Sequence, residues 1–221
     1  MNILLFGATG MVGSAALIEC LDDARVASIV SIVRRPGGRT HPKLREVIHK
    51  DFFDFSAIQS EFADIDACFF CLGVTAAGKS EAEYTRLTYD ITMAAARSLV
   101  AVRPRATFCY VTGAGTDSSE KGSSMWARVK GKTENDLLAM PFKAAYMFRP
   151  GAIVPLKGVR SSTPLYQFFY VALKPFMGLL RRAFPNHVTT SVELGRAFIS
   201  VAANGYPKKI LDPADINVAG Q

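Results

Sequence analysis

Gly7-Ala8-Thr9-Gly10-Met11-Val12-Gly13 follows an apolar run over residues 2–6 and opens a stretch of helical character. The first glycine permits a tight strand-to-helix turn. A side chain at Gly10 would block close approach of a pyrophosphate, and Gly13 lets the helix pack on the strand, while the helix N-terminus faces the negative charge. Three glycines alone are a weak signal. Strand, spacing and helix in agreement point to a dinucleotide held by Gly7, Ala8, Thr9, Gly10, Met11 and Val12.

A dinucleotide fold that selects NAD places an Asp or Glu at the end of its second strand, where it bonds the ribose hydroxyls. Here that place holds Arg34 and Arg35. Guanidinium groups suit a phosphate dianion and leave a bare ribose without an acceptor, so the expected cofactor is NADP(H). The competing reading is a solvated basic turn. Arg39, Lys43 and Arg45 extend the cluster, but no aromatics interleave with it and no recognition helix carries it. No nucleic-acid partner is expected.

Other chemistry-bearing residues give less. Cys68 and Cys71 form a C-x-x-C, which is open to a redox or half-zinc reading. They fall in a buried apolar run, and no second Cys pair or nearby His completes a ligand set. With Cys20 and Cys109 they read as reduced core thiols, and no metal is expected. His41, His49 and His187 have no Ser or Cys partner at motif spacing, and there is no G-x-S-x-G elbow.

The elements that must position these residues alternate in type. Strands are expected over 2–6, 27–33, 44–49, 67–72, 107–111 and 144–148, with helices over 12–21, 56–61, 81–102, 125–138 and 191–203. This is the rhythm of parallel βαβ units. Residues 209–218 read as a short closing strand and tail. At 221 residues, 49% hydrophobic and 20% charged, the chain fits one soluble α/β domain, a doubly wound parallel sheet. The formal net charge of +7 favours anionic ligands. The apolar start runs into the glycine turn with no basic leader segment, and no stretch reaches about 18 uncharged apolar residues. A cytoplasmic protein is expected.

Residues 153–190 break the rhythm and read as a mostly helical substrate-side insertion. Within them, 164–184 is highly apolar, with Lys174 inside and Arg181 and Arg182 near its end. Its plain reading is a core or lid helix pair broken at Pro175. The sharper one is an exposed face for a second copy of the chain, a homodimer, or for peripheral contact with an anionic membrane.

The Gly7–Gly13 turn, Arg34-Arg35-Pro36, Asp51-Phe52, Cys71-Leu72-Gly73-Val74-Thr75 and Arg149-Pro150-Gly151 together resemble the atypical short-chain dehydrogenase/reductases, in the group of NmrA-like and Tat-interacting-protein-like chains. The likeness spans almost the whole sequence, and five motifs in the right order are specific. It implies that Asp51 and Phe52 sit at the adenine. It implies that Leu72, Gly73 and Val74 lie along the riboses, and that Pro150, Gly151 and Ile153 cover the nicotinamide. Thr112 takes the place of the catalytic Ser or Thr, and Lys130 that of the lysine bonding the nicotinamide ribose.

One departure matters. The family's Tyr-x-x-x-Lys is here Trp126-Ala127-Arg128-Val129-Lys130. Indole donates a hydrogen bond but does not ionise in water, so it cannot be a general acid or base. The resemblance implies an NADP(H)-dependent oxidoreductase on a small carbonyl or hydroxyl substrate, with Thr112 orienting the oxygen and the proton relayed by water or substrate. The alternative is a non-catalytic module that senses NADP(H) and regulates a protein partner.

Overall fold

The computed structural model describes residues 1–159 and 186–221. Its centre is a seven-stranded, wholly parallel sheet of order β3-β2-β1-β4-β5-β6-β9. The strands are β1 (Asn2–Phe6), β2 (Ser28–Val33), β3 (Leu44–Ile48), β4 (Ala67–Phe70), β5 (Thr107–Val111), β6 (Ala144–Phe148) and β9 (Ile210–Leu211). Strands β4 and β5 are buried throughout, and β1 at every residue but Asn2, which is why they read as unbroken apolar runs. Edge strand β3 is half exposed.

Helices cover both faces. On one side lie α1 (Met11–Asp22), α5 (Ser191–Asn204) and α6 (Pro213–Ala219). The core there includes Leu5, Cys20, Phe69, Phe148, Phe198 and Leu211. On the other side Phe6, Phe55, Phe62, Phe70 and Phe108 pack with Met93 and Leu99 of α3 (Ile91–Val102). This doubly wound α/β arrangement reverses its strand order between β1 and β4. The crevice beyond their C-terminal ends is the place where such sheets bind ligands.

Four elements depart from the sequence expectation. The long helix expected over 81–102 is α2 (Glu81–Thr85), a π turn (Arg86–Asp90) and α3. Strand β4 stops at Phe70, because the amide of Cys71 donates to Phe6 O as the last rung and the chain then leaves the sheet. The tail over 213–219 is helix α6, started by Pro213 and an Asp212–Asp215 capping box that the sequence carried and the expectation overlooked. The flanks of the expected insertion pair as a second parallel sheet, β7 (Ala152–Val154) with β8 (Val188–Thr190). The 164–184 segment and its lid, dimer and membrane readings lie outside the described residues. Among the described residues no helix is long and apolar enough to cross a membrane.

Phe198 of α5 ties one helical layer to the sheet, with its ring 4.3 Å from that of Phe148 and 5.2 Å from that of Phe69. Phe198→Ala should lower stability by about 3–5 kcal/mol. Urea denaturation measures this, and a loss under 1 kcal/mol would mean that the layer does not depend on this contact.

Candidate dinucleotide site

Gly7 turns the chain out of β1 at φ +81°, a left-handed conformation that glycine adopts without strain. The amide of Gly10 donates back to Gly7 O at 2.9 Å, and α1 begins at Met11 with no side-chain cap. Its first-turn N–H groups are therefore left for an anion. A Cβ at Gly13 would lie 2.0 Å from Gly7 O, so only glycine lets α1 press this closely against the turn.

Beyond the turn is an open cleft of about 840 Å³, lined by Gly7, Ala8, Thr9, Ile32, Val33, Arg34, Arg35, Pro36, Lys50, Phe52 and Leu72. The structure thus gathers seven of the expected residues into one cleft: Gly7, Ala8, Thr9, Arg34, Arg35, Phe52 and Leu72. The others lie around or away from it. Gly10 is the N-cap of α1, and Met11 and Val12 pack against the core cluster. Asp51 is exposed, and its carboxylate accepts from the Phe53 amide. Gly73 and Val74 are exposed in the loop after β4.

Lys50 was not singled out in the sequence, though it adjoins Asp51. The basic cluster of the sequence also divides in space. Lys43 Nζ donates to Leu21 O and Asp23 O, and Arg45 pairs with Glu61, so neither lines the cleft. Lys50 does.

A second group forms behind β5 and β6. Thr112 is buried, and its hydroxyl donates to Glu134 Oε1 at 2.6 Å, with a longer contact to Phe148 O at 3.3 Å. Its one proton is therefore engaged, and it cannot also donate to a substrate carbonyl while this bond stands. That corrects the expected orienting role of Thr112 in this conformation. Glu134 is fully buried and held by Arg149 through both Nε and a terminal nitrogen. The pair joins α4 (Met125–Ala139) to the exit of β6. Burying a carboxylate is tolerable only with such bidentate compensation.

Lys130 Nζ donates to Thr112 O at 2.8 Å. Surrounding protein strips water from this half-buried ammonium and pushes its pKa down to about 8, while the charge of Glu134 pulls the other way. Trp126 lies one turn earlier on α4, and its ring faces Gly115 in the loop after β5, 3.7 Å from where a Cβ would be. Spacing on α4 brings Trp126, Lys130 and Glu134 to one face of the helix. The i, i+4 step from Lys130 was the available signal for Glu134, which the sequence reading missed.

Pro150 is buried, and its carbonyl accepts from the Ala114 amide. Gly151 abuts His187 O, where a Cβ would lie 2.4 Å away. Ile153 sits on β7 with its side chain in the core rather than on a covering loop, a correction to its expected place. Cys68 and Cys109 are buried, Cys71 is half-buried, and all are free thiols. Among the described residues no cluster of three or more His, Cys, Asp or Glu could hold a metal ion.

Residues 3–194 match the family model described as the NAD dependent epimerase/dehydratase family. The chain belongs to that family. It is 28% identical over 225 residues to Protein FMP52, mitochondrial, of Meyerozyma guilliermondii, covering 100% of this chain and 92% of that one. It is 32% identical over 159 residues to Protein fmp52, mitochondrial, of Aspergillus niger, covering 69% and 66%. Among solved structures it resembles a UDP-glucose 4-epimerase (TM-score 0.69, 14% identity, 99% of this chain and 80% of that one). A short-chain dehydrogenase/reductase superfamily protein from Agrobacterium tumefaciens with bound NAD is also similar (TM-score 0.65, 14% identity, 96% and 77%). At such identities the structures establish the fold, a Rossmann-like NAD(P)-binding architecture.

The relatives also overturn the cytoplasmic expectation, since their names place them in mitochondria. That expectation rested on what the N-terminal sequence lacks, which is weak ground for an address.

The half-buried Lys130 ammonium has a thermodynamic signature. Lys130 binds its proton less tightly in the fold, near 8, than an unfolded lysine near 10.4. Between those values the unfolded chain holds more protons, so Lys130 adds stability as pH rises through that window. Burial raises all four thiols, whose effect has the opposite sign above about pH 8.5. The test is therefore a difference: wild type minus Lys130→Met, by urea denaturation, should be more favourable at pH 9.5 than at pH 7. An unchanged difference would show that Lys130 is solvated.

Proposed function

We propose that this chain binds NADP(H) and works as a reductase of small carbonyl compounds, slow by the standard of its family. The observation that carries the cofactor preference is the pair Arg34 and Arg35 lining the same cleft as the glycine turn. Both are exposed, and neither has an ion-pair partner among the described residues. Cationic forks without a carboxylate partner favour a phosphate on the adenosine ribose and offer a bare ribose no acceptor. The structural neighbour with bound NAD shares the fold, and its cofactor does not decide this one.

The dinucleotide would supply hydride at its nicotinamide. The uncapped N-terminus of α1 would hold the pyrophosphate, and Phe52 and Leu72 would flank the adenosine. Lys130 would present positive charge near the nicotinamide ribose. Trp126 takes the tyrosine's place and has no proton to give, and the Thr112 hydroxyl already donates to Glu134. These two observations favour a second reading, a non-catalytic module whose NADP(H) occupancy regulates a protein partner.

NADPH should bind at least ~10-fold more tightly than NADH, which is one decade for 1.4 kcal/mol. Arg34→Asp with Arg35→Ala should erase or reverse that preference, as read by titration of cofactor fluorescence. Equal affinities in the unmodified protein would refute the NADP assignment.

Carbonyl reduction should be slow in the wild type and faster in Trp126→Tyr, because a positioned proton donor contributes roughly 10²–10⁴-fold. A steady-state assay of NADPH oxidation with aldehydes, ketones and quinones decides between the readings. No turnover in either protein, with NADPH still bound, would leave the regulatory module.

A further inference from the structure

We propose that Lys50 is a specificity-determining residue of the cofactor cleft, closing with Arg34 and Arg35 a three-cation cradle for a ribose 2′-phosphate monoester. This rests on the NADP(H) reading above and adds a contact from a different strand.

The three residues reach the cleft from neighbouring strand ends. Strands β2 and β3 run parallel with Val33 opposite Ile48, and the His49 amide donates to Val33 O at 2.9 Å as the final rung. The two chains therefore leave the sheet together, Arg34 and Arg35 following from β2 and Lys50 from β3. Adjacent strands lie about 4.8 Å apart, a separation that long cationic side chains span easily. All three line the cleft that begins at Gly7, Ala8 and Thr9.

The hydrogen bonds of the nearby acids go to backbone amides and a serine, not to these cations. Glu46 accepts from the Gly37 amide through both carboxylate oxygens, at 3.2 and 3.0 Å, and so ties down the loop that carries the arginines. Asp51 accepts from the Phe53 amide, and Asp54 from Ser56. Among the described residues Lys50 has no ion-pair partner. Lys43 and Arg45, by contrast, are bound to carbonyls and to Glu61. Among the described residues none of Arg34, Arg35 and Lys50 has an ion-pair partner, and three like charges around one cleft repel one another until an anion enters. A phosphate monoester of about two negative charges relieves that repulsion. A hydroxyl does not.

Lys50 is exposed, so its replacement leaves the core intact. The experiment measures affinities of wild type, Lys50→Met and Lys50→Arg for NADPH, NADH and 2′,5′-ADP by calorimetric titration at fixed ionic strength. Lys50→Met should lose about 5–10-fold for NADPH and 2′,5′-ADP while NADH changes less than about twofold, and Lys50→Arg should retain wild-type selectivity. Equal loss for NADPH and NADH would place Lys50 on the pyrophosphate and overturn the assignment, as would no loss for either. The wild-type arm separates the two claims. If it shows no preference for NADPH, the NADP(H) reading fails and the cradle with it. If the preference is present and survives in Lys50→Met, the failure belongs to Lys50 alone.

Discussion

The contact on which this molecule depends is the approach of Gly13 to the carbonyl of Gly7. A Cβ at position 13 would sit 2.0 Å from that oxygen, and one at Gly7 would sit 2.8 Å from the backbone of Cys71. Two side chains are missing so that three pieces of backbone can meet: the exit of β1, the first turn of α1 and the exit of β4. The approach aims the open N-terminus of α1 at the crevice. It also sets where Leu72 leaves the sheet, and so where the cleft has its far side. Because α1 then packs along α5, whose Phe198 sits between Phe69 and Phe148, the same closeness reaches the core of that layer.

The buried Glu134–Arg149 pair does for the other half of the crevice what the glycines do for the first. It fastens α4 to the end of β6, and the Thr112 hydroxyl and the Thr112 carbonyl are then used by Glu134 and Lys130 respectively. The result is a polar knot in which Glu134 accepts from both Thr112 and Arg149, and Lys130 donates to the Thr112 carbonyl. Such a knot resists being borrowed for catalysis, because a substrate that took the Thr112 proton would leave a buried carboxylate oxygen short of a donor. Trp126, one turn before Lys130, adds no ionisable proton donor beside it, because indole does not ionise in water.

The two halves differ in how their charges are satisfied. Behind β5 and β6, Glu134 and Arg149 neutralise each other, and Lys130 donates to a backbone carbonyl. At the rim formed by the ends of β2 and β3 no cation is ion-paired among the described residues, and the carboxylates of Glu46 and Asp51 bond backbone amides instead. Uncompensated like charge is a cost to the folded chain alone, and it becomes an advantage only when an anionic ligand is present.

What the sequence determined by itself was local or periodic: the parallel α/β class, the order of the strands along the chain, the glycine turn and the arginines after β2. Each rests on residues within one turn or one strand, where spacing alone carries the physics. Some local signals were present and passed over, among them the Asp212–Pro213 start of α6 and the step from Lys130 to Glu134. The tertiary structure alone decided which charges share a space. Lys43, Arg45 and Lys50 are near in sequence, yet a strand carries the first two away from the cleft and delivers the third to it. Thr112 reads as a cleft hydroxyl until α4 packs Glu134 against it. Burial and pairing depend on contacts between elements far apart in the chain, 22 residues for Thr112 and Glu134, and no local pattern encodes them.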